Sequence, residues 1–346
     1  MSLWQQYLDK KAAVEGGMYF PRQAAADLGV SEGALMADAP DSVYLGSRIR
    51  ELVLKLETLG EVLSVVRNDA AVHEKIGVYE HVTLTARTGL ALNVGGLDLR
   101  FFLHNWHHAL AITLVMGDKT MRSIQFFDEY GVNIEKVFMR DDAKLGAWQA
   151  LIDEFASTGK PEFLPAPEVS VTVPEPLSPE RELAFQERWN ELKDVHHFGG
   201  LLETFKIDRQ QSYRHAPAGS TKQVDRGVWE QVLEHAQANK LEIMVFVGNR
   251  GLVQIQTGKV HNVVRSHGYL NVLDAKVPEE GFDLHLRDGD IVETWVVRRP
   301  ISEGYVTCIE GFDKNRQTVV QIFGRREEGN DEMQSWHQFT DGLLAS

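Results

Sequence analysis

The spacing of apolar residues along this chain changes period, and the change occurs twice. SRIRELVLKLETLG (47–60) and VWEQVLEHAQAN (228–239) carry the three-and-four spacing of an amphipathic helix. Short alternating or β-branched bursts predict strands: VLSVV, VTLTA, ALAITLV and SIQFF in the first half, then IMVFV, LVQIQ, ETWVV, YVTCI and TVVQIF in the second. Gly-Asn-Arg-Gly (248–251) and Arg-Asp-Gly-Asp (287–290) read as turns. Strands this close together leave no room for helical crossovers, so mainly antiparallel sheets are expected. A final helix in each half is expected to carry Trp148 or Trp336.

Residues 158–179, TGKPEFLPAPEVSVTVPEPLSP, hold six of the eleven prolines and predict an extended connector. It divides the chain into a repeat over 1–157 and a second repeat over 180–346. EVLSVVRNDAAVHEKIGVY (61–79) aligns with EIMVFVGNRGLVQIQTGKV (242–260), and ADLGVSEGALMADAP (26–40) with ETFKIDRQQSYRHAP (203–217). SIQFFDEYG (123–131) is paired with VVQIFGRRE (319–327). The expected class is α+β with a tandem duplication, each half a mainly antiparallel sheet flanked by helices.

Composition narrows the function. Lys+Arg 36 against Asp+Glu 50 gives a net charge of −14, which argues against nucleic acid or an anionic membrane as partner. The N-terminal residues lack a signal-peptide pattern and no run of 18 apolar residues occurs, so a cytoplasmic protein without membrane insertion is expected. The single cysteine, Cys308, excludes an internal disulfide and a cysteine-built metal site, and reads as a small core residue. Phosphate-binding and dinucleotide fingerprints are absent from the sequence.

Two histidine groups stand out. HNWHH (104–108) reads as strand; His104 and His108 would then lie about 13 Å apart, too far to share an ion, with His107 on the other face. KDVHHFGG (193–200) is different. SPERELAFQERWNELKDV (178–195) opens as a helix with a Ser cap and an early Pro, and Phe185, Trp189 and Leu192 lead to His196 on the apolar stripe. A lone histidine there is more often a satisfied core residue. Gly199 and Gly200, each weakening a helix by roughly 1 kcal/mol, instead suggest room for a planar ligand beside the chain. Tyr19 takes the place of His196 in the first repeat. Arg100, within GGLDLRFFLHNWHH (95–108), is unusual in sharing a strand with several aromatics.

Over nearly its whole length the chain resembles the haem-degrading and haem-trafficking factors of bacterial haem-uptake systems, the HemS/ChuS/HmuS/PhuS type. The residues that carry the resemblance are GGLDLRFFLHNWHHALAI, KDVHHFGGLLETFKIDRQQSYRHA, WVVRRPISEG and QIFGRREEG. It implies haem in a cleft between the halves, His196 as proximal iron ligand and Arg100 as the distal, catalytic residue. It implies that basic residues at Arg209, Arg299 and Arg326 meet the propionates. The chain departs from many relatives in having His197, Phe198 and Gly199 after the ligand histidine, which leaves open which histidine binds in every state. The partners implied are haem, as substrate or cargo, an electron donor or a haem oxygenase, and an inner-membrane haem transporter. Two functions remain open at this point: oxidative degradation of haem with release of iron, using an external reductant, or delivery of haem unchanged to a separate haem oxygenase. Neutral imidazole suits ferric haem, and arginine suits carboxylates and distal hydrogen bonding.

Overall fold

A computed structural model describes residues 1–14, 19–168, 170–302, 304–326 and 333–345. Glu303 of WVVRRPISEG and residues 327–329 of QIFGRREEG lie outside them. The first half runs α1 (Leu3–Ala13), α2 (Pro21–Leu28), α3 (Glu32–Ala37), β1 (Asp41–Tyr44), α4 (Ile49–Lys55), β2 (Glu61–Arg67), β3 (Ala71–Val78), β4 (Val82–Leu84), β5 (Gly89–Ala91), β6 (Asp98–Phe101), β7 (His108–Met116), β8 (Lys119–Phe127), β9 (Asn133–Met139) and α5 (Leu145–Phe155). The second half repeats that order: α6 (Pro179–Asn190), α7 (His197–Phe205), α8 (Arg209–Arg214), β10 (Thr221–Val224), α9 (Val228–Asn239), β11 (Ile243–Gly248), β12 (Leu252–Gly258), β13 (Val263–Ser266), β14 (Tyr269–Asp274), β15 (Phe282–Leu286), β16 (Glu293–Pro300), β17 (Tyr305–Phe312), β18 (Thr318–Gly324) and α10 (Gln334–Ala345).

The duplication extends to strand order. The first half forms β1-β7-β8-β9-β2 and the second β10-β16-β17-β18-β11, all antiparallel in their ladders. Each half also has a three-stranded antiparallel meander, β4-β5-β6 and β13-β14-β15. The ladders slip at matching places, between Phe126 and Phe127 in β8 and between Gly311 and Phe312 in β17. The β2–β3 turn is capped by the Asn68 carbonyl oxygen accepting from the Ala70 and Ala71 amides. Asn249 does the same for Gly251 and Leu252 before β12. The first two aligned sequence blocks therefore coincide in structure. The third is out by one strand: SIQFF lies in β8, whose counterpart is β17, whereas VVQIF lies in β18.

The chain clusters into two compact units, 1–67 with 73–168 and 248–254, and 68–72 with 169–247 and 255–346. In the first unit a core of Leu52, Val53, Val66, Phe101, Phe126, Trp148 and Phe155 fills the space between the sheet and helices α4 and α5. In the second, Trp229, Val232, Val245, Ile309 and Trp336 do the same for α9 and α10, while Phe185, Trp189, Phe198, Tyr213, Cys308 and Phe312 pack a separate cluster. Cys308 is thus a core residue, as expected. Among its described residues, the proline-rich stretch has no helix or strand up to Pro179, which opens α6. Its early part seats Phe163 against Phe127 and His108 in the first unit. Its late part binds the second: the Gln211 amide donates to the Pro174 carbonyl and the Leu177 amide to His215. No helix among the described residues is long and apolar enough to cross a membrane.

One buried carboxyl makes stability depend on pH. Glu135 accepts hydrogen bonds from the Ser64 hydroxyl at 2.6 Å and from the Tyr79 hydroxyl, and burial pushes it up to about 7. Because its folded-state value exceeds that of the unfolded chain, the folded state binds the proton more tightly. Stability is then greatest below the unfolded value and falls as pH rises through about 7. Glu135→Gln should flatten this loss, which is up to about 3 kcal/mol. Denaturant melts of both proteins between pH 5 and 8 check it; parallel pH dependences would disprove it.

Candidate functional site

His196 is not on the buried stripe that the helical spacing predicts. α6 stops at Asn190, and α7 begins at His197. The break follows from Asp194, whose carboxylate accepts the His196 backbone amide at 2.8 Å and its ring Nδ1 at 2.6 Å. Such a local side-chain bond competes with helix continuation. The apolar surface passes instead through Trp189 and Leu192 to Phe198. The His196 side chain is 80% exposed at the mouth of α7. Fixing Nδ1 to a carboxylate leaves Nε2 directed away as the free nitrogen, the arrangement by which a protein orients an imidazole ligand. The hydrogen bonds from His196 hold Asp194 below the usual carboxylate range. His197 is exposed beside it, and a methyl group added at Gly199 or Gly200 would meet nothing within 4 Å. Packing within the chain does not demand those glycines; they keep one face of α7 bare.

Behind α7 lies a charged and aromatic cluster within the second unit. Arg209, the first residue of α8, donates to both oxygens of Glu310 from Nε at 2.6 Å and Nη2 at 2.7 Å. Glu310 is fully buried and also accepts from Tyr213 and from Thr318 at 2.8 Å. Burial alone would raise the Glu310 carboxyl, but the Arg209 charge and these donors outweigh it and bring it below its ordinary value. Arg209 is therefore already paired, with Nη1 outside the Glu310 fork and its side chain about a third exposed (31%). Arg299 is only 5% exposed, which places it away from the surface position that a propionate partner needs. Its guanidinium lies 4.7 Å from the Phe198 ring centroid. Arg326 is half-buried and has no ion pair among the described residues, whereas its neighbour Arg325 pairs with Glu242 at 2.8 Å.

In the first unit, Arg100 projects from β6. Its Nη1 donates to the buried Asp98 and to the Leu99 carbonyl, and 36% of the side chain is exposed. Desolvation raises Asp98, partly opposed by the arginine. Leu90 stands directly across the ladder from Arg100 and is itself 39% exposed, so an apolar residue lies beside the cation.

HNWHH is not a strand throughout. Residues 103–105 form a 3-10 turn and β7 starts at His108, because the Phe102 amide and Trp106 Nε1 both donate to the Gly251 carbonyl. His104 approaches the Arg87 carbonyl at 3.4 Å, and His108 Nδ1 meets the Tyr44 hydroxyl at 2.9 Å. Tyr19 is buried and donates to Asp27 at 2.6 Å; burial and Asp27 push its hydroxyl up to about 12, so it remains a neutral phenol.

The sequence alone assigned no role to Asp98, Asp194, Phe198 or Glu310. The first two had a local signal, since each lies two residues before the side chain it orients. Glu310 had none, being 101 residues from Arg209.

The profile of the haemin-degrading HemS.ChuX domain matches residues 29–155 and again 206–343. The chain is 36% identical over 337 residues to the hemin transport protein HemS of Yersinia enterocolitica, covering 97% of this chain and 95% of that one. It superposes on the holo form of PhuS, a heme-binding protein from Pseudomonas aeruginosa, with a TM-score of 0.89 and 35% identity, over 98% and 97% of the two chains. ChuS, a heme degrading enzyme of Escherichia coli O157:H7, matches with a TM-score of 0.87 and 33% identity over 97% of each. With a domain match in each half and this similarity along almost its entire length, the chain belongs to the haemin-degrading HemS/ChuX domain family.

Proposed function

We propose that this protein binds one haem through His196 and opens the porphyrin oxidatively in the cytoplasm, releasing iron with electrons from a partner protein. The observation that carries the reading is His196 itself: an exposed imidazole whose Nδ1 is held by Asp194, next to a face cleared by Gly199 and Gly200. Imidazole is an ordinary axial ligand for haem iron. Arg100, half exposed and aimed by Asp98, donates hydrogen bonds on the iron's distal side. Arg209 through Nη1, and Arg326, meet the propionates. Tyr19, buried and neutral, leaves the first repeat without an equivalent ligand, hence one haem per chain. An inner-membrane haem transporter supplies the substrate.

Titration with ferric haem should saturate at about one equivalent, and His196→Ala should shift the Soret band. That variant should keep weak binding that the His196→Ala/His197→Ala double variant loses, since His197 is exposed one residue away. Two equivalents, or an unchanged His196→Ala spectrum, would overturn the assignment. Aerobic incubation with ascorbate should convert haem to an open-chain pigment, with an anaerobic control unchanged. Haem recovered intact after aerobic reduction, and then passed to a haem oxygenase, would make the protein a carrier.

A further inference from the structure

We infer that Phe198 is a positioning residue for His196, and that the buried Arg299 guanidinium serves the iron-binding histidine by fixing the Phe198 ring rather than by meeting the ligand. The inference rests on the reading above that His196 binds the iron. Within the first turn of α7 only Phe198 is anchored. His196 and His197 are exposed, Gly199 and Gly200 have open space, and the next buried residue is Leu201. Phe198 is 1% exposed, with Trp189 set edge-on at 5.5 Å and Tyr213 parallel at 6.1 Å. Two guanidiniums lie over it, Arg299 at 4.7 Å and Arg209 at 5.2 Å.

Arg299 is the unusual member. It has no carboxylate partner among the described residues, its buried Nε has no acceptor, and Nη2 reaches only the Cys308 sulfur at 4.0 Å. A buried cation without an anion is strongly unfavourable. The aromatic face is what compensates it, by a cation–π contact strengthened by desolvation. Ring and cation thus hold each other. The rotation of α7 that decides whether His196 or His197 presents its nitrogen is set two residues away.

A double-mutant cycle tests this. Phe198→Leu should keep a cooperative melt, weaken ferric haem binding about tenfold and give a mixed Soret band. His196→Ala should then cost several-fold less affinity in the Phe198→Leu background than in wild type, because His197 already shares the iron. Phe198→Tyr, which retains the ring, should restore the wild-type band. Arg299→Met preserves the core volume and the ring, and should reproduce the mixed band even where Phe198→Leu fails to fold. A wild-type band and affinity in Arg299→Met would overturn the inference, as would an undiminished His196→Ala effect in Phe198→Leu. A wild-type protein whose haem spectrum ignores His196→Ala would instead overturn the function proposed above.

Discussion

Arg100→Ala is expected to bind haem within about tenfold of wild type and to degrade it about 10² to 10³ times more slowly, the usual consequence of losing one donor aimed at developing charge. On the proposed function, affinity should survive because axial ligation by His196, apolar burial and propionate pairing would supply most of it. The rate does not, because Arg100 is a prepared donor. Asp98 and the Leu99 carbonyl hold Nη1, which leaves Nη2 and Nε outside those two bonds on a side chain that is 36% exposed. Burial raises the Asp98 carboxyl and Arg100 draws it back, so the arginine's charge is what favours the ionised partner that orients it. Asp98→Asn should lie between the two, since it keeps a hydrogen bond and loses the charge. Arg100→Lys should not restore the rate, because a point ammonium cannot span the same directions as the guanidinium fork. Haem titration followed by the decay of the Soret band under ascorbate separates the two quantities. Decay at the wild-type rate in Arg100→Ala would remove the distal role and leave haem delivery as the better reading.

The fold was legible wherever the signal was local. Periodicity found the helices over 49–55 and 228–239, and the shared Asn turn at Asn68 and Asn249 aligned the repeats in register. It failed where alignment rested on apolar runs alone. SIQFF, VVQIF and YVTCI are interchangeable as β-branched and aromatic strands, so nothing in their composition told β17 from β18 as the partner of β8. The matching bulges at Phe126 and Gly311 decide it, and a bulge is a property of pairing that one strand does not display.

The site divides the same way. His196 and Arg100 were visible as residue types in odd company, but the environment assigned to His196 was wrong. A stripe drawn through Leu192 assumes an unbroken helix, and Asp194 breaks it by bonding to the His196 amide and ring. The correction makes the imidazole accessible instead of buried, which suits a ligand better than the original placement did. Arg209 and Arg299 looked alike in sequence, as basic residues near a site. Their burial and partners separate them: one is paired with Glu310 and reaches the surface, the other is enclosed against Phe198.

Arg209→Ala should destabilise the protein by about 3 to 5 kcal/mol, the typical cost of removing one partner from a buried ion pair. Glu310 is fully enclosed, and without the bidentate guanidinium it keeps only Tyr213 and Thr318 as donors. The sign of the pH dependence follows. In wild type the Glu310 carboxyl is held below its ordinary value, so its contribution is present above the unfolded value and is lost as pH falls through the folded one. In Arg209→Ala, burial is opposed only by the Tyr213 and Thr318 hydrogen bonds and should raise it above the unfolded value, so the penalty grows as pH increases past that point. The stability gap between the two proteins should therefore be wider at pH 8 than at pH 5. Arg209→Met combined with Glu310→Gln should recover much of the loss, because it removes the charge that was left behind. Urea melts of the three proteins at both pH values measure this. If Arg209 served only a haem propionate, Arg209→Ala would melt like wild type at either pH and differ only in its haem titration. A wild-type melt would thus show that the Glu310 fork contributes nothing to the fold and that Arg209 acts on the ligand alone.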